Sequence, residues 1–224
     1  MDATTVFCLA LSDIHGKNIN KIPALPGLAE ADAVLFAGDL AKFNNDEAKS
    51  ALRHLCDNAK KFFAIPGNCD DMQVESYMDG YGANIHRKIC ELAPGLMIMG
   101  LGGSTPSGFF TPREYREEDY ALWLEQMYRQ IPKKSKIMLL SHNPPFNTRT
   151  DVIGTGKHVG GIAVREFIER IQPDICICGH LHESKAVDRL GRTVIVNIGA
   201  FMDGNYAHIT MREEAFEVEM KTLN

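Results

Sequence analysis

The sequence of 224 residues lacks several features that would place it in other classes of protein. Its six Cys include no CxxC pair, which argues against a zinc ribbon or a thioredoxin-type redox site. No run of about 18 apolar residues could span a bilayer, and the first residues lack the basic flank and apolar run of a signal peptide. We therefore expect a cytoplasmic protein with reduced thiols and no membrane association.

An excess of basic residues is also missing. The chain has 24 Lys and Arg against 29 Asp and Glu, a formal charge of −5. Without basic groups to displace counterions, we expect no stable nucleic-acid complex, although a small anionic substrate held by metal ions remains compatible with this charge. An apolar share of 45% is ordinary for a globular protein, and no linker-like boundary divides the chain, so we expect one domain over residues 1–224.

Short apolar runs alternate with amphipathic stretches, which predicts an α/β fold with a β-rich end. Helices are predicted over 117–131 and within 160–172, and two more are predicted to begin after an Asn45 cap and an Asp70 cap. Strands are predicted at residues 6–11, 33–37, 62–65, 88–92, 96–99, 136–140, 175–178, 185–190, 193–198, 206–211 and 216–220.

Polar residues follow five of these predicted strands directly. Because the carboxyl ends of strands in open α/β sheets share an edge where ligand crevices form, we expect the five segments to converge. Each segment alone also fits a turn, a helix cap or a solvated loop, but the five together favour a site. They contribute two Asp, four His and one Asn, namely Asp13, His15, Asp39, Asn68, His142, His180 and His182.

These side chains form a mixed oxygen and nitrogen ligand set. Such a set suits Mn²⁺, Fe, Zn²⁺, Ni²⁺ or Co²⁺ better than Ca²⁺. Seven side chains exceed the need of one tetrahedral ion and suffice for two ions, if one carboxylate bridges them. Two ions can lower the pKa of a bridging water and hold phosphoryl oxygens, which favours hydrolysis of a phosphate ester.

The ordered motifs DIH, GD, GNCD, SHNPP and GHLH resemble those of the calcineurin-like metallophosphoesterase superfamily. The GGSTP stretch at 102–106 and the GTGKHVG stretch at 154–160 make the chain most similar to small prokaryotic Icc-related phosphoesterases. The resemblance implies an α/β fold, a four-layer αββα sandwich with two mixed β-sheets and the metal site at the carboxyl ends of the strands. It also implies two divalent metal ions, with Mn²⁺ the leading candidate, and a hydroxide between them as the nucleophile.

The resemblance assigns the candidate metal ligands residue by residue. Asp13, His15 and His182 would bind the first ion. Asn68, His142 and His180 would bind the second, and Asp39 would bridge the two.

One position departs from the wider superfamily. Most members carry His after the Asn of the third motif, whereas this chain has Cys69, either as a weak leaving-group acid or as a packed thiol. Asp70 and His158 are the other candidate catalytic residues, because Asp70 closes the same motif and His158 lies in the glycine-flanked loop.

The candidate substrate contacts are Asn68, Ser104, Lys157 and His158, since glycine-rich backbone can approach an anion closely. The glycine-flanked loop could equally be a mobile surface loop. His54, His86 and His208 match no motif and are expected at the surface or in structural roles.

The sequence favours a phosphodiesterase acting on a small phosphate ester. A phosphomonoesterase or phosphoprotein phosphatase is the alternative within enzymes. A non-catalytic binding module is the other alternative, because a retromer subunit resembles this fold and works through protein contacts. An edge strand in the β-rich C-terminal part leaves assembly into homo-oligomers open.

Overall fold

The computed structural model describes residues 5–42, 44–213 and 215–223. Over these residues the chain forms four α-helices, α1 (Asn45–Asn58), α2 (Met72–Gly80), α3 (Glu117–Tyr128) and α4 (Ile162–Ile171). The strands are β1 (Val6–Leu11), β2 (Ala33–Phe36), β3 (Phe62–Ala64), β4 (Ile89–Ala93), β5 (Leu96–Leu101), β6 (Lys136–Ser141), β7 (Ile175–Cys178), β8 (Ala186–Leu190), β9 (Thr193–Asn197), β10 (Asn205–Arg212) and β11 (Ala215–Thr222).

The strands form two mixed sheets. The first has the order β11-β10-β1-β2-β3, in which β1, β2 and β3 run parallel and β10 is antiparallel to both of its neighbours. The second has the order β4-β5-β6-β7-β9-β8, in which β5, β6, β7 and β9 run parallel and the two edge strands are antiparallel. Parallel strands point their carboxyl ends the same way, so each sheet gathers its strand-end loops along one edge.

The two sheets pack face to face, and helices cover their outer faces. Cys8 and Ala10 of β1 lie in the core between the sheets with Ile177 of β7, whereas Leu9 and Leu11 pack outward beneath α1. A third cluster joins the outer face of the second sheet to α3 and α4. Because the central strands are buried on both faces, their sequences are continuous apolar runs. The expected four-layer αββα sandwich is confirmed.

Two predicted helix caps are wrong by one residue. Asn44, not Asn45, caps α1, and its side chain accepts hydrogen bonds from the backbone N–H groups of Asp46 and Glu47. Asp71, not Asp70, caps α2, because Asp70 turns its carboxylate into the protein. Adjacent residues with equal capping ability leave the choice to tertiary contacts.

His86 is a structural residue, as expected from its position outside the motifs. The side chain is buried, and Nδ1 accepts a hydrogen bond from the backbone N–H of Gly102 at 2.8 Å. The ring stacks on Tyr115 with 6.1 Å between centroids. Burial lowers the pKa of His86 to about 4, so the ring is neutral in the folded protein at neutral pH.

This shift predicts a pH dependence of stability. The folded pKa lies below the usual value of 6.5, so the stability that His86 contributes is present above pH 6.5 and is lost as the pH falls towards 4. Between pH 6.5 and pH 4, the free energy of unfolding of wild type is expected to fall by about 3 kcal/mol more than that of His86→Gln, whose side chain does not titrate. Urea unfolding of both proteins at the two pH values measures this difference, and parallel losses would contradict the assignment.

Among the described residues, no helix combines the length and apolar character that a membrane crossing requires.

Candidate metal centre

Loops at the carboxyl ends of β1, β2, β3, β6 and β7 meet at one edge of the sandwich. Backbone hydrogen bonds tie these loops to one another across and within the sheets. Asp13 N–H donates to the Gly38 carbonyl at 2.8 Å, and His15 N–H donates to the Asp39 carbonyl at 3.1 Å. Gly179 N–H donates to the His142 carbonyl at 3.2 Å. Across the sheets, the Gly103 N–H after β5 donates to the Pro66 carbonyl after β3 at 2.9 Å, so the loops from both sheets are held as one cluster.

Four of the seven candidate ligands have left-handed backbone conformations. Their φ angles are +55° for Asp13, +45° for His15, +62° for Asp39 and +66° for His180. Asp and His occur in this region more often than most residues, but each non-glycine residue there still carries backbone strain. Strain concentrated at one cluster of polar side chains is typical of a functional site.

Glycines permit the loops to approach this closely. Gly38 has a φ of +101°, and a Cβ there would lie 2.5 Å from Nδ1 of His142. A Cβ at Gly179 would overlap the Ser12 hydroxyl and lie 2.5 Å from Oδ2 of Asp13. A larger residue at either position would push the strand-end loops apart.

The first group of donors contains Asp13, His15 and His182. Nε2 of His182 lies 3.2 Å from Oδ1 of Asp13 and 3.3 Å from Nε2 of His15. The other Asp13 oxygen accepts hydrogen bonds from the His180 N–H and the Ser12 hydroxyl. Burial alone would raise the pKa of Asp13, but the facing His15 and His182 rings outweigh it and hold that pKa well below its usual range. Asp13 is thus an anion whose Oδ1 faces two imidazoles.

The second group contains Asn68, His142 and His180. Nδ1 of His142 lies 2.6 Å from the Ala37 carbonyl, which can only accept, so Nδ1 carries a proton and in the neutral ring Nε2 presents a lone pair. This Nε2 faces Oδ1 of Asn68 at 2.8 Å, and Oδ1 is also an acceptor. Two acceptors cannot form a hydrogen bond with each other, whereas a cation between them would interact with the lone pairs of both. Burial lowers the pKa of His180 to about 3, which keeps its ring in the neutral form that binds metals.

Asp39 lies between the two groups. Its Oδ2 is 3.6 Å from Nε2 of His15 and 3.6 Å from Nε2 of His142. Its Oδ1 accepts a hydrogen bond from the Cys69 N–H at 2.8 Å, which fixes the carboxylate. Donor atoms of Asp13, His15 and His182, and likewise of Asp13, Asp39 and His142, lie within 4.8 Å of one another. The side chains present therefore fit metal binding.

Residues 8–184 match the calcineurin-like phosphoesterase family, and this range contains all seven candidate ligands. The chain belongs to this family. Calcineurin-like phosphoesterases are metal-dependent hydrolases, and the cluster around Asp39 gives this member a candidate metal centre.

The chain is also similar to individual proteins. The chain is 33% identical over 195 residues to an uncharacterized protein of Methanocaldococcus jannaschii, covering 84% of this chain and 86% of that protein. It is 25% identical over 179 residues to a probable glycerophosphodiester phosphodiesterase of Arcobacter nitrofigilis, covering 76% of this chain and 64% of that protein. A crystal structure of TT1561 from Thermus thermophilus shares the fold at 17% identity, with a TM-score of 0.75 over 99% of this chain and 100% of that chain.

In this calcineurin-like phosphoesterase, the two residues that follow Asn68 lie in different environments. Cys69 lines the cleft beside the centre, and in the metal-free protein burial together with the Asp39 charge raises the pKa of its thiol. Asp70 does not face the cleft. Its carboxylate accepts hydrogen bonds from the backbone N–H groups of Gly67 at 2.8 Å, Asp39 at 2.9 Å and Leu40 at 3.0 Å. These bonds fix the backbone of the loops after β2 and β3, and a catalytic role for Asp70 stays a prediction.

Only some of the candidate substrate contacts line the cavities beside the centre. Ser104 is fully buried and donates its hydroxyl to the Thr105 carbonyl, so the residue that reaches the crevice is Thr105. Lys157 is exposed and does not line either cavity beside the centre. His158 lines one of these cavities, and Asn68 lines both.

Sequence reasoning missed two buried charged residues. Arg113 is 2% exposed and holds the loop after β3 by donating to the backbone carbonyls of Asp70 and Asp71. Asp151 is fully buried and accepts a hydrogen bond from Nδ1 of His158. Neither lies in a recognisable motif, and a charged residue within a mostly polar loop gives no signal of burial.

Proposed function

We propose that this protein is a binuclear-metal phosphoesterase with a preference for phosphodiesters. The position of Oδ2 of Asp39, at equal distances from the His15 and His142 rings, carries the proposal. Asp13, His15 and His182 would hold one divalent ion, and Asn68, His142 and His180 would hold the other. Bound there, the ions would supply an activated water and neutralise charge on phosphoryl oxygens.

The chain's own residues then bind and orient the ester. A cleft of about 720 Å³ opens over the candidate ligands, and Lys17 and Lys42 lie on its walls. Two ammonium groups beside the centre favour an anionic substrate. Asp70 fixes the loops after β2 and β3, so the donor atoms of Asp39 and Asn68 keep their spacing. A transition-metal pair, with Mn²⁺ as the first choice, suits this mixed donor set.

Two features support a diester over a monoester. A second cavity of about 650 Å³ adjoins the cleft and shares Asn68, Phe109 and His180 with it, which leaves room for a substituent on each side of the phosphorus. The Arcobacter nitrofigilis relative is named as a probable phosphodiesterase. The complete donor set favours catalysis over a purely protein-binding role.

Hydrolysis of bis(p-nitrophenyl) phosphate and p-nitrophenyl phosphate tests the proposal, with Mn²⁺, Ni²⁺, Zn²⁺ or Mg²⁺ added to metal-free protein. We expect metal-dependent release of nitrophenol from both, with a higher kcat/KM for the diester. A higher kcat/KM for the monoester would assign a phosphomonoesterase. Folded, metal-loaded protein that hydrolyses neither ester would favour the binding module.

A further inference from the structure

The 650 Å³ cavity beside the candidate centre has mostly apolar walls. Its size lies within the range of small-molecule sites, about 300–1,000 Å³. Asn68 and His180 connect it to the centre, so a group bound in the cavity would lie next to a phosphoryl group at the metal ions. The apolar lining side chains are Pro106, Phe109, Phe146, Ile153, Val159, Ile162 and Leu181.

His158 is the ionisable side chain on this cavity wall that remains available for chemistry. His180 is a candidate metal ligand. The Glu117 carboxylate is committed to the first turn of α4, because it accepts from the backbone N–H groups of Ile162 and Ala163 at 2.8 Å each. Nε2 of His158 has no hydrogen-bond partner among the described residues, and the side chain is about one-third exposed.

Asp151 fixes the His158 ring from behind. Oδ1 of Asp151 lies 2.6 Å from Nδ1 of His158, so this nitrogen donates and Nε2 is the nitrogen left to face the cavity. Backbone N–H groups of Asn147, Thr148 and Gly160 also donate to the Asp151 carboxylate, at 3.0, 2.8 and 3.0 Å. A fully buried carboxylate with four donors is a rigid anchor, and an anchored imidazole is the arrangement of a positioned acid or base.

We propose that His158, positioned by Asp151, protonates the leaving oxygen of the substrate and that the apolar cavity receives the leaving group. The inference rests on the proposed phosphodiesterase function and narrows its range of substrates. The substrate class is then a phosphodiester whose leaving alcohol carries a ring-sized apolar group.

The proposed hydrolysis forms one bond to phosphorus and breaks one. The oxygen of a water molecule bonds to phosphorus, and the bond between phosphorus and the leaving oxygen breaks with its electron pair on that oxygen. The imidazolium form of His158 gives its Nε2 proton to the leaving oxygen, which departs as a neutral alcohol. The proton released by the attacking water returns through solvent to His158.

A series of methyl aryl phosphodiesters with increasingly basic phenolate leaving groups tests the proton transfer. His158→Gln keeps a polar side chain but cannot act as an acid. We expect little loss of kcat for the most acidic phenol and a loss of roughly 10²- to 10⁴-fold for unsubstituted phenol. Metal content and thermal unfolding midpoint should match wild type. Equal losses across the series would overturn the acid role, and absence of diester hydrolysis by wild type would overturn the proposed function with it.

Binding of phenyl phosphate and methyl phosphate to metal-loaded protein, measured by calorimetry, tests the cavity without turnover. Burial of the ring should make phenyl phosphate bind at least about tenfold more tightly than methyl phosphate. Ile162→Asn at the cavity wall should remove most of this preference. Leu122→Asn, at a similarly exposed site on α3, should retain it. Equal binding of the two esters to wild type would overturn the cavity assignment and leave the phosphodiesterase proposal standing.

Discussion

Replacing Asp39 by Asn is expected to lower kcat/KM for a phosphodiester by about a thousandfold or more, since a bridging carboxylate contributes several kcal/mol through the ions it holds. Oδ2 of Asp39 is the oxygen that faces both donor groups. An amide bridges two cations poorly, so bound metal should fall below two ions per chain. Steady-state kinetics and elemental analysis of the purified variant measure both effects.

Loss of folding would not explain this result. Burial and then the Asp39 charge raise the pKa of Asp70 to about 7, whereas the same charge favours the protonated forms of His15 and His182. Removing it relieves repulsion and also loses attraction, so metal-free Asp39→Asn should unfold close to metal-free wild type. Asp46→Asn, in the first turn of α1, makes the same chemical change away from the site and should keep wild-type kinetics. Wild-type activity in Asp39→Asn would contradict the two-metal mechanism.

Replacing Arg113 by Met is expected to lower the free energy of unfolding by about 3–5 kcal/mol, as does removal of one partner from other buried ion pairs. Arg113 is 2% exposed, and its Nη2 lies 2.8 Å from the Glu75 carboxylate. Its Nε donates to the Asp70 carbonyl at 2.7 Å. The variant leaves this carbonyl without its donor and Glu75 without its cation, with only the Asn84 amide still donating to Glu75, and urea unfolding should detect the loss.

Two further variants separate the buried pair from a general effect of losing an Arg. Arg129→Met removes an exposed ion pair with Glu125 and should lower the free energy of unfolding by at most about 1 kcal/mol. Arg113→Met combined with Glu75→Gln should recover part of the loss, because it removes the unpaired charge. If Arg113→Met unfolds within about 1 kcal/mol of wild type, the assigned role of Arg113 is wrong.

The fold was predictable because its strands leave a strong pattern in the sequence. Residues 175–178, with the sequence ICIC, are fully buried on both faces, and a short continuous apolar run is the expected signature of such a strand. The polar segment after each run then lies at the shared strand edge. The convergence of the seven candidate ligands follows from that topology, and their roles as ligands remain a prediction.

The details beyond the motifs were not predictable, because they depend on side-chain directions that tertiary packing decides. Asp70 and Asp71 have the same side chain, and only the folded chain shows that Asp71 caps α2 while Asp70 binds three backbone N–H groups. Ser104 and Thr105 are adjacent and similar, yet Thr105 lines the cavity and Ser104 is buried. The pairing of His158 with Asp151 likewise requires a loop conformation that local sequence does not specify.

In the proposed mechanism, two metal ions lie on either side of Asp39. Anomalous diffraction from crystals grown with Mn²⁺ tests it most directly. Two anomalous peaks about 3.5–4 Å apart are expected, one between Asp13, His15 and His182 and the other between Asn68, His142 and His180. A single peak, or peaks away from Asp39, would contradict it.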